Sequence, residues 1–164
     1  MDNRASSIEI EGTSTLHDWV VVAEMAEGFA TWQNSEATKA IKAGRLQVAV
    51  DALNSGKSSM DKVMKKALQE SDHPKIVFTY SETITFVPID SRNFHLRVSG
   101  DLTIAGETRQ IQLDMKGSSR EGHLKLEGEK ALKMSDFNIE APSAMFGTIK
   151  SGDKITVNFS VIFQ

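Results

Sequence analysis

One stretch of the chain, residues 94–115, alternates apolar and polar residues so regularly that it constrains the fold more than any other. Its sequence is FHLRVSGDLTIAGETRQIQLDM, and apolar side chains recur at every second position on both sides of the turn AGET. Because successive side chains of a strand point to opposite faces, this pattern predicts an antiparallel hairpin with one apolar and one polar face. Gly100 lies inside the first strand, where a glycine predicts a bulge or bend. Long strands bent at a glycine favour a sheet that curls towards a barrel.

The same two-residue period recurs along most of the chain. It predicts an all-β domain of eight or nine antiparallel strands that spans residues 1–164, and it leaves a barrel and a sandwich open. Helices do not alternate repeatedly with the strands, so a parallel α/β sheet is not expected. Besides the hairpin, strands are predicted at residues 6–11, 15–25, 29–32, 45–53, 76–86, 123–132 and 155–163.

One segment, residues 58–71, breaks this period. Its apolar residues recur at the spacing of one helix face, which predicts a single amphipathic helix. Ser58 or Ser59 is expected to cap its first turn, where Asp61 is favoured by the helix dipole. The helix would close one end of a barrel. The residues of its apolar stripe are Met60, Val63, Met64, Ala67 and Leu68.

Composition excludes several classes of function. The net charge of −3 lacks the basic excess of a nucleic-acid-binding protein, and no apolar run is long enough to span a membrane. The chain has no cysteine, so thiolate metal sites and cysteine nucleophiles are excluded. The four histidines lack metal-ligand spacing, and no nucleophile–base pair is apparent. We therefore expect no enzyme activity, no metal site and no cofactor.

The apolar strand faces can form either a filled core or the wall of a hollow interior, and binary pattern does not separate the two. Methionines favour the hollow form, because their flexible side chains suit pliable apolar binding surfaces. Met60 and Met64 on the helix, and Met145 near Phe146, lie in segments expected to cap a barrel.

Five short motifs resemble one known family. They are Gly28-Phe29, HPKIVF at residues 73–78, GDLTIAGETR at 100–109, MFGTIK at 145–150 and STLHDW at 14–19. Together they resemble the YceI family, a lipocalin-like domain described as polyisoprenoid-binding. The similarity runs over nearly the whole chain, and the block from Gly100 to Thr103 is its most specific part.

The resemblance implies an extended antiparallel β-barrel of eight strands, lipocalin-like, with one inserted amphipathic helix. It also implies a non-catalytic binding or carrier protein whose lumen holds a long apolar ligand, such as a polyisoprenoid, a quinone or a fatty-acid-like molecule. The implied location is periplasmic or otherwise exported, with the signal peptide absent from this sequence. Dimers occur in similar proteins, so a homodimer is a further expectation. The expected partner is an apolar small molecule, and nucleic acid is not expected as a partner.

The ligand-binding wall is expected to combine inward strand residues with the helix stripe. Trp19 and Tyr80 are candidates either to hydrogen-bond a ligand head group or to cap the core. The alternative hypothesis is a barrel filled by side chains that acts through its surface, as a cell-envelope or stress-response interaction protein. The candidate ligand-binding residues are Trp19, Leu46, Val48, Val50, Met60, Met64, Leu68, Phe78, Tyr80, Phe94, Leu96, Val98, Leu113, Met145, Val157, Phe159 and Val161.

Overall fold

The computed structural model describes residues 1–34, 39–144 and 147–164. Within them the chain forms eleven strands, one α-helix and two 3-10 turns. In chain order these are β1 (Ser7–Ser14), β2 (Trp19–Ala23), β3 (Ala26–Asn34), β4 (Lys39–Ala49), the turn Val50–Ala52, β5 (Leu53–Asn54), α1 (Ser58–Ala67), β6 (Lys75–Pro88), β7 (Asn93–Ile104), β8 (Glu107–Arg120), β9 (His123–Lys133), the turn Met134–Phe137, β10 (Ser143–Ala144) and β11 (Ile149–Phe163).

The strands form one curled antiparallel sheet in the order β3-β4-β6-β7-β8-β9-β11-β1-β2-β5, with β10 added beside β11. Short connections join opposite ends of this order: residues 24–25 lead from β2 to β3, and the turn Val50–Ala52 leads from β4 to β5. Since a chain spans at most about 3.6 Å per residue, the two ends must lie close together. The amide of Glu24 donates to the carbonyl of Ala52 at 2.9 Å, which continues the pairing of β2 with β5 into these connections. The all-β barrel class expected from the sequence is therefore confirmed.

The hairpin of residues 94–115 forms as predicted. Strands β7 and β8 pair continuously from Asn93 opposite Ser118 to Ile104 opposite Glu107. The turn is tighter than the sequence indicated, because only Ala105 and Gly106 connect the strands, both with positive φ. Such two-residue turns match the twist of the strands that they join.

A bulge does accompany Gly100, but it lies in the neighbouring strand. The register of β6 against β7 slips between Tyr80, which faces Gly100, and Glu82, which faces Ser99. One extra residue of β6 is therefore accommodated opposite the glycine, which bends the sheet there.

The predicted helix forms, but its start differs from the expectation. The first turn follows Lys57, which makes no side-chain cap, so neither Ser58 nor Ser59 is the capping residue. Instead the Asp61 carboxylate accepts hydrogen bonds from the amide and hydroxyl of Ser55, at 2.9 and 2.6 Å. This pair fixes the first turn of α1 to the segment that precedes it.

Strand boundaries differ where the backbone leaves the extended conformation. The predicted strand at residues 15–25 begins only at Trp19, and the strand predicted at residues 45–53 is broken by the turn Val50–Ala52. Strand β6 extends through Pro88, beyond its predicted end. No helix among the described residues has both the length and the apolar character needed to cross a membrane.

Candidate functional site

A cavity of about 530 Å³ lies inside the curled sheet. Small-molecule sites in proteins typically measure about 300–1,000 Å³. The interior is therefore hollow, which decides between the two alternatives that the apolar pattern left open. The cavity wall combines the inward faces of β1, β2, β4, β6, β7, β8, β9 and β11 with one face of α1.

Period-two alternation explains why the wall is apolar. In β11 every second residue from Ile155 to Phe163 lines the cavity, while the residues between them do not. Strands β7 and β8 contribute in the same way. Their lining residues are Val98, Leu102, Ile104, Ile111, Leu113 and Met115.

Most of the candidate ligand-binding residues are brought together in this wall. Met145 lies outside the residues that the structure describes. The candidates that line the cavity are Trp19, Leu46, Val48, Met60, Met64, Leu68, Phe78, Tyr80, Val98, Leu113, Val157, Phe159 and Val161.

Three candidates, Val50, Phe94 and Leu96, lie off the cavity wall, although each is buried. Val50 lies in the 3-10 turn that interrupts the strand, where its amide donates to the carbonyl of Pro74 at 2.9 Å. The alternation that would have pointed its side chain inward therefore stops one residue earlier. Its burial contributes to the protein interior outside the cavity.

Phe94 belongs to an aromatic cluster that fills the sheet interior beyond the cavity. Its ring stacks on Trp32 with centroids 4.9 Å apart and meets Phe86 at 5.0 Å. We call these three residues the aromatic plug. Leu96 faces Phe86 in the register of β6 and β7, so it lies beside the plug rather than beside the cavity. A Cβ at Gly117 would overlap the Phe94 ring, so the glycine provides the space for the plug.

The polar tips of Trp19 and Tyr80 already have protein partners. The Trp19 Nε1 donates to the carbonyl of Thr13 at 3.0 Å, and the Tyr80 hydroxyl donates to the carbonyl of Ile41 at 2.9 Å. The Tyr80 hydroxyl also lies 3.1 Å from the hydroxyl of Thr83. Trp19 has therefore no free donor for a head group, and both side chains present apolar ring surface to the cavity.

Helix α1 covers part of the cavity and contacts the rest of the protein through both its apolar and its polar face. Its apolar stripe lines the cavity, and the Lys65 ammonium donates to the carbonyl of Asp51 at 2.9 Å. Hydrogen bonds from the hydroxyl and amide of Ser55, helped by the charge of Lys65, lower the pKa of Asp61. These contacts hold the helix over the cavity without burying any of its residues completely.

One part of the wall was not predicted from the sequence. Residues 133–149 showed no period, yet Met134, Phe137 and Ile139 line the cavity and pack with Leu102 and Ile104. A 3-10 turn has too few residues for a recognisable repeat, so its apolar composition was the one sequence signal that it is buried. Other strand residues of the wall follow from alternation that the sequence shows. They are Ile8, Ile10, Val21, Leu126, Leu132 and Ile155. Ile41 also lines the wall, but it is out of phase with Leu46 and Val48, because the register of β3 against β4 shifts between Thr31 and Trp32.

Titratable side chains do not converge on a reactive centre among the described residues. No group of three or more histidines, aspartates and glutamates in these ranges is placed to hold a metal ion. Hydrogen bonds from the side chain and amide of Asn93 and from the amide of Arg92 lower the pKa of the Asp90 carboxyl to about 2. It lies in the exposed loop before β7, and it does not line the cavity.

Comparisons with known proteins place the chain among similar folds. The sequence profile of one family, described as the YceI-like domain, matches residues 1–163. No curated protein sequence matches the chain.

Several solved structures share the fold at low sequence identity. The crystal structure of BcnA from Burkholderia cenocepacia is 14% identical, with a TM-score of 0.78 over 99% of each chain. A polyisoprenoid binding domain from Saccharophagus degradans, implicated in plant cell wall breakdown, is 12% identical, with a TM-score of 0.73 over 96% of this chain and 92% of that one. The YCEI protein of Campylobacter jejuni is 18% identical, with a TM-score of 0.65 over 87% of this chain and 82% of that one.

Proposed function

The chain belongs to the YceI-like domain family, and we propose that it is a non-catalytic binding protein that holds a long isoprenoid or similar lipid chain in its cavity. The observation that carries the proposal is the 530 Å³ apolar cavity under α1. The polyisoprenoid binding domain among its structural neighbours supports the same class of ligand. A single domain over residues 1–164 would then act as a carrier.

Burial of apolar surface would drive binding. Each Å² of apolar area removed from water contributes about 25 cal/mol before the costs of association. The methionines of α1 favour a flexible chain over a rigid one, because their side chains adapt to the shape that they contact. The family membership supports a periplasmic or otherwise exported location, where a carrier would shield such a chain from water.

The alternative of a filled barrel that acts only through its surface gains no support from a cavity of this volume. An enzyme hypothesis would need a nucleophile–base pair inside the cavity. The described wall residues include no aspartate or glutamate, and the Ser14 hydroxyl and the His17 Nδ1 contact backbone carbonyls rather than each other. Neither alternative has a specific observation in its favour.

The test is extraction of the natively purified protein with organic solvent, followed by mass spectrometry. We expect about one equivalent of an isoprenoid or lipid-like molecule per chain. The protein after denaturation and refolding without lipid is the matched control, and it should yield an empty extract but take up an added C20 isoprenoid. A clean extract of the native protein together with no uptake of that isoprenoid would overturn the proposal.

A further inference from the structure

Lys130 occupies an unusual place in the cavity wall. It lies in the inward-facing row of β9, two residues from Leu132, and it pairs across strands with Val157. All three residues line the cavity, and Lys130 is half-buried. A charged residue within an apolar row is costly unless its charge is compensated or reaches water.

No protein group among the described residues compensates this charge. The Lys130 side chain makes no hydrogen bond or ion pair in the described ranges, whereas the Lys125 ammonium on the same strand lies 2.8 Å from the Glu127 carboxylate. Strand β9 thus carries one lysine with a carboxylate partner and one lysine, on the cavity side, without a partner.

The wall as a whole is cationic. The chain has 22 acidic and 19 basic residues, yet the described wall contains four lysines and arginines and no carboxylate. Arg45 and Lys133 alternate with inward-facing neighbours and are exposed, and Lys57 is exposed before α1. Lys130 alone among the four stands in the inward row of a strand.

Lys130 also lies where two neighbouring strands separate. Strands β8 and β9 are hydrogen-bonded only from Met115 opposite Gly128 to Arg120 opposite His123. Beyond Met115, residues 107–114 and 129–133 continue as strands without pairing with each other. A long lysine stem can lie along apolar surface while its ammonium reaches a polar boundary. The split lies beside Lys130, so its ammonium can extend from the apolar cavity towards the outside.

We propose that Lys130 binds the anionic head group, a carboxylate or a phosphate, of an amphiphile whose chain occupies the cavity. The inference rests on the proposed function, since it assigns the head group of the same ligand. An oxyanion would supply the partner that the ammonium lacks, and a charge-assisted hydrogen bond is about twice as strong as a neutral one. The surrounding apolar wall strengthens the attraction further by lowering the local dielectric constant.

The test compares three ligands with the same C20 isoprenoid tail: geranylgeraniol, geranylgeranoic acid and geranylgeranyl phosphate. For the wild-type protein we expect at least one charged ligand to bind about tenfold more tightly than the alcohol, a difference of about 1.4 kcal/mol. The acid and phosphate arms show which oxyanion is preferred. In Lys130→Met the preference for the charged ligands over the alcohol should vanish.

Lys154→Met is the matched control. It removes the same charge from the adjacent strand β11, where Lys154 is exposed and does not line the cavity, so the preference for the charged ligand should persist. Binding of the alcohol with no preference for either charged ligand in the wild type overturns the Lys130 proposal alone. A preference that survives in Lys130→Met also overturns it. Failure of all three ligands to bind the wild type overturns the proposed function as well.

Discussion

The ring of Phe78 lies against Gly100, in the space that a side chain at residue 100 would need. A Cβ there would overlap the ring and fall 2.6 Å from the carbonyl oxygen of Thr79. Phe78 lines the cavity, so the glycine determines where one aromatic side of the wall can lie. The same glycine faces the bulge of β6, which couples the curvature of the sheet to the shape of the cavity.

Substitution Gly100→Ala should therefore lower the free energy of unfolding by about 1–3 kcal/mol, because it overpacks a closely filled site. Gly44→Ala is the matched control, since a Cβ at Gly44 would meet Tyr80 at an ordinary 3.5 Å. Urea denaturation of both variants measures the difference. Equal stability of the two variants would show that the Phe78 ring does not need the glycine.

The aromatic plug is expected to support stability rather than binding. Phe94→Leu should lower the free energy of unfolding by about 1–3 kcal/mol, through lost packing on Trp32 and Phe86. Its affinity for geranylgeraniol should stay unchanged, because Phe94 does not line the cavity. Leu113→Ala, in the wall, should instead weaken that affinity by about tenfold, equivalent to about 1.4 kcal/mol. Titrations of both folded variants check this, and a loss of affinity in Phe94→Leu would assign the plug to the binding site.

The hydrogen bonds that join α1 to Ser55 should be detectable in the titration of the Asp61 carboxyl group. The pKa of Asp61 is lowered chiefly by the hydrogen bond from the Ser55 hydroxyl. The ionised carboxylate therefore stabilises the folded protein fully above the ordinary pKa of 3.8, and this stabilisation is lost as the pH falls through the lowered pKa. In Ser55→Ala the pKa of Asp61 should rise towards 3.8. Carbon-13 NMR of the carboxyl groups measures it. Asp90, whose pKa of about 2 depends on Asn93 and Arg92, is the internal control and should not move.

The two tryptophans should report differently on ligand. Trp19 lines the cavity, and Trp32 belongs to the plug. In Trp32→Phe, where Trp19 is the remaining tryptophan, geranylgeraniol should shift the fluorescence emission or change its intensity. In Trp19→Phe, the emission of Trp32 should stay the same. The reverse pattern would place the ligand at the aromatic plug.

Alternation made much of the wall predictable from sequence. A residue such as Val157 or Leu113 lies in a long uninterrupted strand, so its inward direction follows from its position. Val50 shows where this reasoning fails, because a 3-10 turn begins at that residue and nothing in the local apolar pattern marks it.

The position of an inward-facing residue along the length of the barrel, beside the cavity or beyond it, was not predictable in the same way. Phe94 and Val98 share one face of β7, and both are buried, yet only Val98 reaches the cavity. The difference arises from Trp32 and Phe86, which lie on other strands and fill the space beside Phe94. A binary pattern gives the direction of a side chain but not the volume of its partners across the interior.

Lys130 shows a further limit. Its charge interrupts the apolar row of the strand predicted at residues 123–132, and it was not among the candidate ligand-binding residues. Only the pairing with Val157 and the separation of β8 from β9 place it beside the cavity. Functional polar residues of this kind break the pattern from which a fold is predicted.

Equilibrium dialysis with radiolabelled geranylgeraniol measures whether the cavity holds one long apolar chain. We expect saturable uptake that approaches one molecule per wild-type chain. Val157→Phe, which enlarges a residue of the wall, should bind less, and Thr156→Phe, which lies between wall positions on β11 and does not line the cavity, should bind as the wild type does. Uptake that does not saturate, or that is equal in all three folded proteins, would contradict the account.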